Sequence, residues 1–461
     1  MRANILETEK IGALLFKLAV PVFLGMFVVT TYNVVNTVFI GHYVGPLGIA
    51  GLSIVFPFQM LSMGIGQVTG MGGASLISRL IGAHNTAKAE KTLGNAISFN
   101  LVITLVITIA GLANPEYWLK LAGASDTILP YARDYMTIIF IGLVANTFAM
   151  SFNGLLISEG NTRLPMIAQI MGAGINIVLD AIFIIWFGWG VKGAALGTVI
   201  AQFTTSAIFF AYYLKGNGLL KIRLANLVPD LRILKEILAI GVSALAATLA
   251  SSVTAVLVMR LLAQHGGDLA ISTFGIINRI MMFSIMPGIV IGQALQPIIG
   301  FNYGAKRYDR LLKGLKIAII ASTSVSLISF LVLYFLPEPF VRIFTTDPDL
   351  VERCIYAIRR AFFFMYLMGF LMIGSTLFQA LGKAGKAFIA SMARTALFFI
   401  PTLLIMANYL QLEGVWLTFP LVDFMTFCLI LGLFIPQVRE LRRKQASILK
   451  ENQSGSTRDI K

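Results

Sequence analysis

Twelve long apolar runs leave this chain few ways to fold. They lie at residues 12–40, 49–78, 92–113, 133–158, 164–187, 193–214, 236–262, 269–300, 316–336, 360–381, 390–409 and 414–435. Each is at least as long as the roughly 20 residues an α-helix needs to cross a bilayer. Inside hydrocarbon every backbone N–H and C=O must find a partner within the chain, so such runs fold as helices. The composition agrees: 57% of residues are hydrophobic, 12% are charged, and mean hydropathy is +0.84. The expected fold is an all-α polytopic membrane protein with 12 transmembrane helices.

A net charge of +15 would suit nucleic acid, but its placement does not. With loops assigned alternately to two sides, the side holding both termini carries 27 Lys and Arg and the other carries 8, leaving Arg279 within a run. This is the positive-inside pattern. It puts both termini in the cytoplasm, N-in/C-in, with the basic loops facing anionic lipid headgroups. Nucleic acid is not an expected partner, and the expected location is the inner (cytoplasmic) cell membrane. Cys354 and Cys428 define no disulfide framework, and three scattered histidines define no metal centre. The first run is too long for a cleavable signal peptide and lacks a small-residue exit.

The two halves repeat. Residues 45–160 lie over 267–382 without a gap, at an offset of 222. Gly45 meets Gly267, Gly82-Ala83 meets Gly304-Ala305, Pro115-Glu116 meets Pro337-Glu338 and Gly160 meets Gly382; further on the register slips by one, and Gly193 meets Gly414. An even number of spans per half returns the chain to its starting side. The expectation is therefore two pseudo-symmetric six-helix lobes related by an axis near the membrane normal. The boundaries are 1–214 for the N-lobe, 215–235 for a basic cytoplasmic linker, 236–436 for the C-lobe and 437–461 for a polar cytoplasmic tail. Duplicated lobes suit alternating access; a duplicated structural bundle is the alternative.

Asp180 is the only ionisable residue in Met166 to Trp186. A carboxylate in lipid costs several kcal/mol and is usually tolerated only beside a cavity or a partner. Asn176 sits one turn earlier on the same face. Measured along their helices, Asn36 and Thr198 reach a similar depth in the outer half. Amide and hydroxyl oxygens around one carboxylate suit a sodium or proton site, or else a polar knot that only fixes packing. By the repeat offset, Thr402 and Phe398 stand where Asp180 and Asn176 would fall, which confines the acidic site to the N-lobe. Arg279 and Asp423 reach similar depth in the C-lobe and are expected to pair or to line a cavity.

Other residues carry weaker signals. Pro21 lies inside the first run as a hinge or a static kink. Gly64, Gly66, Gly70, Gly72 and Gly73 allow close helix contact. Met150, Phe152, Met282 and Met286 are flexible or aromatic candidates for a substrate cleft, with core packing as the commoner fate, and Gln67, Gln293 and Gln379 are polar handles for the same cleft. No G-x-S-x-G, H-E-x-x-H or Walker A pattern occurs, so no enzyme and no cofactor are expected, and energy must come from an ion gradient or another subunit.

Three stretches resemble the multidrug and toxic compound extrusion (MATE) family: YNVVNTVFIGHYVGP, INIVLDAIFIIWFGWGVKGAALGTVIAQ and FGIINRIMMFSIMPGIVIGQALQPIIGFNYGAKRYDR. The resemblance runs from Pro21 to about Pro436. It implies a V-shaped pair of lobes exporting cationic drugs in exchange for H⁺ or Na⁺. In DinF-like relatives an N-lobe ion site uses a first-helix Asp, a fourth-helix Asn, Asn and Asp in helix five, and Thr in helix six. The matching positions here are Asn36, Asn153, Asn176, Asp180 and Thr198, with Asn36 in place of an acid. That replacement makes the chain most similar to the MepA-type branch. The helix-seven Glu of the NorM-type branch has no counterpart in GVSALAATLASSVTAVLVMRLL, so the resemblance does not carry that branch's C-lobe ion site over to this chain. The expected function is a monomeric cation-coupled antiporter that expels amphipathic, often cationic, small molecules. A lipid-linked sugar flippase and a non-transporting scaffold or receptor are the alternatives.

The charge asymmetry makes a topological prediction. A fluorescent protein fused after Lys461 should glow, and alkaline phosphatase at the same position should be inactive; active phosphatase there would reverse the orientation.

Overall fold

The structure, a computed structural model, describes residues 2–216 and 218–456, and among them every regular element is a helix. The elements are α1 (Arg2–Thr8), α2 (Ile11–Tyr43), α3 (Pro46–Gly82), α4 (Thr86–Ala113), α5 (Pro115–Leu121), α6 (Leu129–Ile141), α7 (Leu143–Ser158) and α8 (Arg163–Asp180). There follow α9 (Gly190–Leu214), α10 (Leu231–Gly304), α11 (Tyr308–Phe335), α12 (Pro337–Arg342), α13 (Pro348–Ala361), α14 (Met368–Ala380), α15 (Ala384–Met392) and α16 (Phe399–Ser456). Prolines open α3, α5, α12 and α13, where a missing N–H costs nothing. The side chain of Asn85 caps α4 by accepting from the Lys88 N–H at 3.0 Å, and Asn114 caps α5 from Tyr117 at 3.1 Å.

Among the described residues, eight helices are long and apolar enough to cross a membrane. Two bent pairs also pass as single spans: α6 with α7, bent by 54°, and α13 with Met365–Ala380, bent by 52°. Neither bend has a proline. The first falls at Gly142, where Val199 of α9 occupies the space a side chain would need. By contrast α2 runs unbroken through the buried Pro21. The apolar runs 236–262 and 269–300 form one long helix interrupted at Gly267, and 390–409 and 414–435 meet inside α16 at Gln411.

The repeat seen in the sequence returns in the backbone. Left-handed residues occur at Gly45 and Gly267, at His84 and Lys306, and at Gly160 and Gly382, each pair 222 apart; Gly190 and Gln411 are 221 apart. Helices α4 and α11 are both 28 residues long and begin and end 222 residues apart. A non-glycine residue in the left-handed region is costly, so its recurrence at His84 and Lys306 marks the same tight turn built twice.

By its contacts the chain forms two compact units, Met1–Leu6 with Phe16–Leu249, and Glu7–Leu15 with Ala250–Lys461. In the first, α3 is the central helix. Gly66, Gly70 and Gly73 form one face of it, lying against Thr147, Met150, Ser151 and Leu155 of α7. Gly64 and Gly72 form another, against Leu245 and Ile237, and Gly241 of α10 rests on the Val68 backbone. Small residues thus bring backbones together on two sides of one helix. Buried Thr69, Asn100, Thr104, Thr147 and Ser151 bond to one another between α3, α4 and α7, so none of these polar groups is left bare in the interior. Asn95 pins the 215–235 stretch to α4: its amide donates to the Asn226 and Val228 carbonyls and accepts from the Asp230 N–H at 2.6 Å. Hydrogen bonding from Lys91 holds the Asp230 carboxyl below its usual range. Its contribution is complete above the ordinary aspartate pKa and is lost as pH falls through the lowered one. In the second unit α14 packs against α11 and α16, with Gly369 on the Ser322 backbone and Gly374 on Ile430.

Glycine contacts give a stability test. A methyl at Gly72 would overlap the Ile237 carbonyl oxygen, a backbone atom that cannot swing aside. Gly72→Ala should destabilise by about 1–3 kcal/mol and lower the thermal midpoint. Gly432→Ala, which meets nothing within 4 Å, should be neutral or stabilising by up to about 1 kcal/mol.

Candidate ion site

The residue after which α8 stops being α-helical is Asp180. The next six residues, Ala181–Trp186, are π-helical. Such wide turns are rare and occur disproportionately at functional sites. One turn beyond Asp180, Ile40 of α2, Ile184 of the π-turn and Ala194 of α9 pack into one buried cluster. One turn from these along each helix lie Asn36, Asp180 and Thr198, so the same packing that locks the three helices together brings their polar residues to one level.

The carboxylate is 1% exposed. Gly197 of α9 leaves the space it occupies, since a methyl there would overlap Asp180 Oδ1. Oriented by its partners, the Asn176 amide donates to Asp180 Oδ2 at 3.2 Å and accepts from the Thr198 N–H at 3.1 Å. In the opposite orientation Nδ2 lies 3.4 Å from both Asp180 Oδ1 and Thr198 Oγ1, so the first arrangement serves both ends of the amide better. Among the described residues no Lys, Arg or His pairs with Asp180. The Asn36 Oδ1 atom is buried and accepts no hydrogen bond from the described residues. The set is thus, among the described residues, a buried acid with no resident cation and, on α2 one turn from the shared packing cluster, a buried carbonyl oxygen without a partner.

Beside this set, inside the first unit, lies a cavity of about 130 Å³ lined among others by Tyr32, Asn153, Gln169, Asn176, Thr198 and Gln202. At about 30 Å³ per water it holds roughly four waters. Drug-sized ligands need about 300–1,000 Å³, so the space suits a hydrated ion and not a drug. Gln169 bridges it: Nε2 donates to Asn153 Oδ1 at 2.9 Å, while Oε1 lies against Gly25 of α2, where a methyl would overlap it.

Of the residues singled out from sequence, the structure gathers Asn176, Asp180 and Thr198 by direct bonds and brings Asn153 to the same cavity. It places Asn36 one turn from the shared packing cluster. Gln169 and Gly197 were missed. Gln169 is seven residues before Asn176, on the same face of α8, and that spacing was available as a signal.

The cleft candidates scatter. Met150 lines the ion cavity and Gln67 accepts from Thr248 at 3.2 Å. Phe152 is fully packed among Phe148, Phe209, Phe210 and Tyr213, and Met286 is likewise core. Gln379 is buried beside Ser391, Gln293 is half-buried and Met282 is 52% exposed. Asp423 does not pair with Arg279, which is exposed. It pairs with Arg394, whose Nε donates to Oδ1 at 2.8 Å. The physical reason is that α15 begins at Ala384, ahead of the apolar run read from residue 390, so Arg394 lies deep enough in its helix to meet Asp423.

The MatE family model matches residues 21–182 and 240–405. The chain is 26% identical over 409 residues to the multidrug export protein MepA of Staphylococcus aureus (strain MSSA476), covering 89% of this chain and 90% of that protein. With MepA of Staphylococcus haemolyticus (strain JCSC1435) it is 26% identical over 429 residues, 93% of this chain and 94% of that one. A crystal structure of a MATE protein in complex with MaD3S superposes with a TM-score of 0.90 at 26% identity, covering 96% of this chain and 99% of that chain. Members of this family are transporters, not enzymes. With a family match spanning both halves and relatives aligned nearly end to end, the chain belongs to the MatE family of multi-pass membrane transporters.

Proposed function

We propose that this protein is a secondary active multidrug efflux antiporter. It exports amphipathic, often cationic, compounds in exchange for H⁺ or Na⁺ and uses no cofactor. The observation that carries the reading is the carboxylate of Asp180, buried with no cation partner among the described residues, beside a small cavity that Asn153, Gln169, Asn176 and Thr198 help to line. In lipid an acid without a resident cation is stable only when protonated or when a metal cation neutralises it, so its occupant is exchangeable. Thr198 and Asn36 supply oxygens for that occupant, the Asn176 amide holds the carboxylate in place, and Asn153 and Gln169 reach it across the cavity.

Coupling follows from which helices meet there. The occupant touches α8 and α9 directly and α2 through Asn36. Gln169 ties the cavity wall to Gly25, one turn beyond Pro21 on α2. Loss of the cation repels or releases these polar groups and changes how α2 sits, which biases the transporter toward one state. The MepA relatives are multidrug exporters by name, which supports the substrate class. We read twelve spans: the eight long helices and two bent pairs, with α10 and α16 each divided at its left-handed residue. With both termini cytoplasmic, they form lobes 1–214 and 236–436, linked by 215–235 and followed by the 437–461 tail. The protein works as a monomer among lipids.

The test is efflux of a fluorescent lipophilic cation from proteoliposomes, driven separately by a pH jump and a sodium jump. Asp180→Asn should lower ion-driven transport by roughly 10- to 100-fold, the loss of a coupling free energy of about 1–3 kcal/mol, with the protein still folded. Gly197→Ala should lower it in the same direction by crowding the carboxylate. Wild-type transport in both variants would remove Asp180 from the mechanism.

A further inference from the structure

The second unit contains a buried charge that the proposed mechanism does not use. Asp423 on α16 has a side chain only 5% exposed, and Arg394 lies against it at 2.8 Å. Arg394 belongs to the π-turn Ala393–Leu397, and the carbonyl of Thr395 in that turn accepts from Thr254 Oγ1 at 2.8 Å. The wide turn is therefore satisfied from outside and held in place. At 1.5 Å per residue, Arg394 lies about 16 Å along from the turn before α15 and Asp423 about 18 Å from the break at Gln411, so the pair meets near mid-membrane.

The repeat identifies what this pair replaces. At the offset of 221 set by Gly190 and Gln411, Asp423 corresponds to Gln202. At 221 or 222, Arg394 corresponds to Ala173 or Gly172. All three of these first-half residues line the 130 Å³ ion cavity. Where the first half has a small residue and open space, the second half has a guanidinium. Where the first half has Asp180 and Asn176, the second half has Thr402 and Phe398.

We infer that Arg394 is a built-in cation that permanently fills the C-lobe counterpart of the ion cavity, so that the transporter carries one exchangeable cation site and not two. The inference rests on reading Asp180 as that one site. Other charges on the elements packed around Asp423 are engaged elsewhere. Glu413 bonds to Tyr356 and Arg360, Lys386 to Gln437, and Lys383 and Lys444 to Glu440. Cys354 on α13 is buried, and Arg279 on α10 is exposed.

The experiment is the thermal midpoint of the purified full-length protein across pH, with sodium or choline as the salt cation. Asp180→Asn should abolish the cation dependence of the wild type. Adding Arg394→Met to Asp180→Asn should create a new dependence, because the uncompensated Asp423 must then recruit H⁺ or Na⁺. The native state then binds a proton that the unfolded chain does not, so stability falls as pH rises, by up to about tenfold in the folding equilibrium per pH unit. Adding Asp423→Asn to that pair should flatten the response again. Asp423→Asn alone, with Arg394 kept, should leave the wild-type cation response unchanged. The inference is overturned if Arg394→Met adds no dependence, or if Asp423→Asn alone removes part of the wild-type response. Should Arg394→Met fail to fold, the second comparison decides. A wild-type response that survives Asp180→Asn and is untouched by Asp423→Asn would instead sink the reading of Asp180.

Discussion

Charge neutrality in a medium that cannot solvate ions is the constraint from which the rest of this structure follows. A buried carboxylate must be matched by a positive charge, and the two halves of the protein meet that requirement differently. Asp423 has a guanidinium built beside it. Asp180 has one hydrogen bond from the Asn176 amide and, among the described residues, no cation, with space next to it. A charge matched from within the chain is structural. A charge matched from solution makes the structure respond to what the solution contains, and an ion gradient can then do work through it.

The scaffold serves this arrangement by closeness. Glycines on two faces of α3 let α7 and the start of α10 approach backbone to backbone, and the polar knot around Asn100 satisfies the groups such packing buries. Bends at Gly142 and after Ala361, with left-handed residues at matched positions, build one supersecondary plan twice. Duplication supplies two equivalent places for a charged site, and the side chains then diverge. The π-turns lie at non-equivalent positions, after Asp180 in one half and around Arg394 in the other, yet each adjoins a buried carboxylate. A wide turn shifts the facing of every residue beyond it, which is a direct way to aim a polar group inward from an otherwise apolar helix.

Much of this was legible before any coordinates. Asp180 with Asn176 one turn away, the glycine run of α3 and the offset of 222 are local or periodic signals, and helical geometry makes them readable. What was hidden depends on departures from that geometry. Ordinary spacing matched Asp423 by depth to Arg279 and counted Arg394 with the cytoplasmic charges, because Gly385 and Lys386 hide the start of α15 at Ala384. The bends at Gly142 and near Phe364 carry no proline to announce them, since tertiary packing, with Val199 over Gly142, decides where these helices yield. Phe152 and Met286 look like cleft residues by type but belong to the core, because in a span rich in Phe and Met the residue type alone does not tell which face is buried.

The central claim is that substrate and cation compete through Asp180, and it is tested most directly by counting ions. A lipophilic cation added to purified protein in weak buffer should release about one H⁺, or one Na⁺ in sodium-loaded protein, per transporter, and none from the Asp180→Asn variant. Release that is absent in the wild type, or equal in the variant, would contradict the account.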